Sequence, residues 1–100
     1  MDKENFTEYF APSKVNIYER ESDINGRFKT LGLVEGEDCQ LKAHLAEPDR
    51  IIARTQARSK AYKLGANGIV FTGCATIQSQ QCIAQIVCYG QMYQIEKITK

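Results

Sequence analysis

Tryptophan is absent from this sequence, histidine occurs once and proline twice. Each scarcity excludes something. Nine aromatic residues without an indole make a poor stacking platform for single-stranded nucleic acid. One imidazole, His44, is all that a cysteine nucleophile could draw on as a base. The net charge is +1, so no overall field pulls the chain toward nucleic acid or a membrane surface. No apolar run nears the roughly 20 residues that span a bilayer. The first residues, MDKENFTEYFAPSK, are acidic and polar with no apolar core, so they are not a signal peptide as written. Internal repeats and low-complexity stretches are missing too.

What is present is one domain's worth of chain, 100 residues, 43% hydrophobic and 25% charged. A core this small is thin, because small domains bury only about 60–65% of their unfolded surface. Staples are therefore valuable, and the chain holds four cysteines: Cys39, Cys74, Cys82 and Cys88. Three of them fall in the stretch 65–95, GANGIVFTGCATIQSQQCIAQIVCYGQMYQI.

Residues 1–13 read as a flexible tail. Phe6, Tyr9 and Phe10 lend it adhesive character, but Pro12 and the charges oppose a regular element. Over 14–20, Val15 and Ile17 alternate with polar neighbours, which predicts a half-buried strand. Asn25-Gly26 supplies turn chemistry. A second strand is expected over 27–35, weakened by Gly32 and ended by Gly36-Glu37-Asp38. After a loop over 40–48, Asp49 caps a helix predicted over about 50–64, with Gly65 as its C′ residue. Ala53, Ala57, Ala61 and Leu64 fall on one side, flanked by Ile51, Ile52 and Tyr62, and such small residues let a helix lie close to a sheet. Strands over 69–75 and 82–95 then form an antiparallel hairpin with a long polar loop. The order strand, strand, helix, strand, strand gives an α+β fold: one main helix packed on a small, mainly antiparallel sheet. The folded domain is expected over 14–100.

Arg50, Arg54 and Arg58 recur at i, i+4 and i+8, with Lys60 and Lys63 nearby. A charge run of this kind is ordinarily a solvated face. The sharper reading makes it a docking surface for an acidic partner.

Three jobs are open to the four cysteines. Zinc sites built from short motifs use close pairs such as CxxC. Here the separations are 35, 8 and 6 residues, so no metal or other cofactor is expected. Catalysis is disfavoured as well. There is no CxxC redox pair, and Glu35, Glu37, Asp38, Glu47 and Asp49 crowd into loops without the pairing of an acid–base enzyme. The third job is a disulfide framework, which an even cysteine count in a short chain fits, in an oxidising compartment. If Cys82 and Cys88 share one strand, six residues separate them by about 20 Å, whereas a bridge needs Cα atoms within about 7 Å. That leaves 39–82 with 74–88, or 39–88 with 74–82, and either choice ties Cys39 to the C-terminal hairpin.

The runs LGLVEGEDCQ, IIARTQARSKAYKLGANGIV and QCIAQIVCYG, with the order and spacing of all four cysteines, resemble the RcsF family. These are outer-membrane lipoproteins that sense envelope stress through the Rcs phosphorelay. The likeness covers about residues 15–97, and it includes the Gly-x-x-Cys-Gln segment over 36–40 and the Ala-Asn dipeptide that ends the helix. It implies the pairs Cys39–Cys82 and Cys74–Cys88. It implies a non-catalytic signalling protein on the periplasmic side of the outer membrane. The implied partners are an IgaA-like inner-membrane repressor, BamA and outer-membrane β-barrels. Members carry a signal peptide, a lipidated cysteine and a proline-rich linker. The chain shows none of these, so it is expected to be a soluble fragment of a lipid-anchored protein. Two features depart from the family: the loop LKAHLAEP lacks a double proline, and the step from Cys74 to Cys82 is one residue shorter.

A second reading comes from another class. The Gly65-Ala66-Asn67 junction is also similar to that of small cytosolic YbjQ-like domains, which implies a metal- or ligand-binding module. Free thiols separate the two: a disulfide framework has none, a zinc module has four.

Overall fold

The computed structural model describes residues 11–96. Most of the expected tail, residues 1–10, lies outside the described residues, as do residues 97–100. Where the sequence reading placed the tail's end there is a 3-10 turn, Ala11–Lys14. It is closed by the Val15 N–H donating to the Pro12 carbonyl at 3.1 Å.

Strand β1 is short, Asn16–Tyr18, and the chain then turns through a second 3-10 segment, Glu21–Asp23. Strand β2 runs over Phe28–Gln40, helix α1 over Arg50–Lys63, β3 over Gly68–Ile77 and β4 over Ala84–Ile95. The four strands form one sheet in the order β1-β3-β4-β2. The β2–β4 and β3–β4 pairings are antiparallel and the β1–β3 pairing is parallel. The architecture is α+β: one helix on a small, mainly antiparallel sheet.

Both ends of α1 follow from local chemistry. The Asp49 carboxylate accepts from the Ile51 N–H at 2.7 Å, satisfying a donor that a helix start leaves orphaned. At the other end Gly65 takes φ 94°, which costs a glycine little. This lets the Ala66 N–H reach the Ala61 carbonyl and the Gly65 N–H reach the Tyr62 carbonyl, the paired bonds of a Schellman cap. The helix therefore stops at Lys63. Leu64, expected on the buried stripe, lies past that stop and is 62% exposed. Ala66 takes its place in the core.

Strand β2 is longer than the sequence reading gave it. Gly36 does not end it; the strand continues to Gln40, with Val34, Gly36 and Gln40 buried and Asp38 half-buried along one face. Gly36 is the contact point with the helix. A Cβ there would fall inside the van der Waals shells of the Ala53 carbonyl oxygen and the Ala57 amide nitrogen. Gly90, its diagonal neighbour on β4, is less tightly enclosed: a Cβ there would lie 2.9 Å from the Ile69 side chain. Ala53, Ala57 and Ala61 are fully buried over this glycine seat. Around it pack Val15, Val34, Ile69 and Met92. Each buried side chain of this size contributes about 1.5–3 kcal/mol. A bulge between Thr30 and Gly32 lets β2 carry on, with Gly32 at φ 111°.

Two disulfides staple this layer. Cys74 and Cys88 face each other across β3 and β4 with Cα atoms 4.0 Å apart. That is the narrow, non-hydrogen-bonded kind of antiparallel pair. Cys88 is fully buried, with its sulfur 3.8 Å from the Arg50 carbonyl oxygen. Cys39, near the end of β2, joins Cys82 at a Cα separation of 5.6 Å. Cys82 precedes β4 rather than lying in it, so the expected strand over 82–95 begins two residues late. The Ile83 N–H bonds the Gln40 carbonyl at 2.7 Å beside this bridge.

On the sheet face away from the helix, Tyr93 meets Phe28 edge to face at 5.2 Å and donates to the Glu21 carboxylate at 3.3 Å. Burial, then the Glu21 charge and its hydrogen bond, hold the Tyr93 phenol above its usual pKa.

Three measurements test this account. Gly36→Ala should destabilise the oxidised protein by about 3 kcal/mol in urea unfolding, because the obstacle is backbone; an unchanged midpoint would contradict the close seat. Opening Cys74–Cys88 by a double serine substitution should cost about 3 kcal/mol, and opening Cys39–Cys82 about 4, by the chain-entropy account. Melting with and without dithiothreitol checks this, and equal melting temperatures would contradict it. Because the folded pKa of Tyr93 is raised, the unfolded chain ionises it first. Stability should therefore decline as pH climbs past about 10, and Tyr93→Phe should flatten that decline in alkaline denaturation.

Candidate functional site

The cysteine chemistry is closed. All four sulfurs are spent in disulfides, so none is available as a thiolate nucleophile or metal ligand. This removes the zinc-module reading built on four free cysteines. His44 sits exposed in the loop between β2 and α1. A shallow depression lined by Arg27, Lys29, Asn67, Gln94 and Glu96 has no nucleophile beside a base. What the structure offers is surface, on the helix and at one end of the molecule.

The basic residues of α1 do not form one surface. Arg58 points back to the sheet edge, where its Nη2 and Nε donate to the Val15 carbonyl at 2.6 and 3.1 Å. Partial burial lowers its pKa from the ordinary arginine value. Its work is to hold the chain just before β1 against the helix. Arg54 also turns inward, its guanidinium 5.0 Å from the centre of the Phe71 ring, within cation–π range. The Arg54 Nε is buried and has no hydrogen-bond partner among the described residues. Arg50, Lys60 and Lys63 are exposed. The physical reason is side-chain length. The alanine stripe keeps the helix close to the sheet, and arginines flanking it reach over the alanines to the sheet edge.

The sequence reading missed an apolar end. Leu41 and Leu45 lie in the loop after β2, Ile51 and Ile52 in the first turn of α1, and Ile83 just before β4. All five are exposed, Ile51 by 71%. Several bonds gather these segments at one end. Asp38 accepts from the Asp49 N–H at 2.8 Å, Gln40 donates to the Leu45 carbonyl at 2.9 Å, and Cys39–Cys82 ties in the loop before β4. Exposed apolar side chains gathered in this way mark interaction surfaces more often than chance. The signal was present in the sequence: Ile51 and Ile52 sit off the alanine stripe, so they could not face the sheet.

Among the described residues, no helix is long and apolar enough to cross a membrane. Comparison with known proteins places the chain in a family. The RcsF lipoprotein family profile matches residues 2–96. The outer membrane lipoprotein RcsF of Escherichia coli (strain K12) is 31% identical over 83 residues, covering 81% of this chain and 62% of that protein. The RcsF of a second Escherichia coli strain matches with the same figures. The chain thus spans less than two thirds of the length of the curated relatives it matches. With the family profile matching residues 2–96, the chain belongs to the RcsF lipoprotein family.

Proposed function

We propose that this domain is a non-catalytic signalling module of the periplasm, held at the outer membrane by a lipid anchor on the full-length protein. It activates the Rcs phosphorelay by contacting an IgaA-like inner-membrane repressor when the envelope is disturbed. BamA and outer-membrane β-barrels are its other partners, reached during export and display. The observation that carries this reading is the pair of cystines in a family of outer-membrane lipoproteins. Disulfides persist in an oxidising compartment such as the periplasm, and here they lock a rigid plate rather than serve a redox reaction. Rigid surfaces lose less entropy on binding.

The exposed cations of α1, Arg50, Lys60 and Lys63, supply the electrostatic part of that contact, while Arg54 and Arg58 are committed to the sheet edge. The apolar end beside Arg50 supplies the desolvated part.

The test is a titration of the IgaA-like periplasmic domain against the wild-type chain and an Arg50→Glu/Lys60→Glu variant. Neither side chain touches the core, so melting should be unchanged. Affinity should weaken about tenfold or more, with the difference shrinking as salt rises. Equal affinities at low salt would remove the helix cations from the contact.

A further inference from the structure

The sheet has two edges, and they are treated differently. Edge strands expose unpaired N–H and C=O groups that template another strand, and proteins guard them with charge, proline or cover. On β2 the edge is guarded where the helix lies. The Glu37 N–H, which points outward, is taken by the Gln56 side chain at 2.7 Å, and Glu35, Glu37 and Asp38 charge the strand. On the other side β1 covers β3 only over Gly68, Ile69 and Val70, because the chain turns away after Tyr18. Beyond Phe71, β3 continues to Ile77 paired with β4 on one side and with no strand on its outer side among the described residues.

That free stretch, 72–77, carries no charge and no proline, and all of it is exposed except half-buried Cys74. Its outward groups follow from the register. Cys74 and Cys88 form a narrow pair, so the Cys74 N–H and C=O point away from β4, and so do those of Thr76 two residues on. Six residues make a strand of ordinary length. At the start of this edge stands Arg54, held over Phe71 and with no carboxylate paired to it among the described residues.

We infer that the free edge of β3 is a binding site for an extended segment of a partner protein. The segment pairs with Cys74 and Thr76 through its backbone and sets an acidic side chain against Arg54. A second copy of this chain does not fit. The stretch 72–81 holds no carboxylate, so a copy paired edge to edge offers Arg54 nothing. Strand addition draws its affinity from main-chain bonds and its selectivity from the side chains beside them; here those would be the outward groups of Cys74 and Thr76 and the Arg54 side chain. The inference rests on the reading of this domain as a partner-contacting module and names the mode of one contact.

The test uses blocked eight-residue peptides of alternating threonine and valine, with a single glutamate moved through successive positions. Amide exchange of the oxidised protein is followed by NMR. In the best peptide the Cys74 and Thr76 amides should exchange about tenfold more slowly. Thr76→Pro removes an outward donor and should abolish that protection. A peptide N-methylated at the pairing positions should fail against the unaltered protein, which covers the case in which the proline variant folds poorly. Replacing the peptide's glutamate by glutamine should weaken binding severalfold to the wild type and not at all to Arg54→Gln. No protection with any peptide, or undiminished binding of the N-methylated one, overturns the edge site. Protection indifferent to the glutamate overturns the acidic occupant. If the peptides protect the edge while the IgaA-like domain does not bind, the signalling reading fails and the edge site stands. Binding of that domain without peptide protection gives the reverse.

Discussion

Everything in this domain depends on a place where side chains are missing. Gly36 leaves the middle of β2 bare, and Ala53, Ala57 and Ala61 bring the helix down onto that bare backbone, while Ile69 fills the space over Gly90 on β4. The contact is made of main-chain atoms and single methyl groups, so it contributes little apolar area for its length. It contributes position instead. With the helix this close, Val15, Val34, Ile69 and Met92 close around it into one core, and the arginines beside the alanines reach the sheet edge.

The cystines make good what so shallow a core leaves short. A domain of this size has little surplus of burial over chain entropy. Cys74–Cys88 lies directly under the first turn of the helix, and Cys39–Cys82 binds the end of β2 to the loop before β4. The Asp38 and Gln40 side chains hold the intervening loop from below. The loop residues of the apolar end, Leu41, Leu45 and Ile83, are thus presented by segments tied through a cystine and side-chain bonds, and Ile51 and Ile52 by the first turn of the helix.

Much of this was legible in the sequence, for local reasons. The helix could be read because Asp49, the alanine spacing and Gly65 each carry a local signature, and the hairpin because two β-rich runs flank a polar loop. Strand β2 was read too short because a glycine looks the same whether it breaks a strand or seats a helix. Three residues of β1 carry no mark of a parallel pairing with a strand some 50 positions later. Distance arguments narrowed the cysteine pairing to two schemes, and the family likeness chose between them. The basic residues were found by spacing, but spacing does not say which way a long side chain turns. Arg58 turned out to be a strut, and Arg54 lies over Phe71.

The shortness of β1 has a mechanical side. A pull arriving through the residues before Asn16 is met by three residues of parallel pairing and by Arg58 gripping the Val15 carbonyl. Behind them, the chain from Cys39 to Cys88 lies inside two overlapping covalent loops. Strand β1 is held by the fewest pairings in the sheet and lies outside both covalent loops, so its loss would lengthen the bare edge of β3 and leave the stapled strands paired. The domain is arranged as a fuse in front of a rivet.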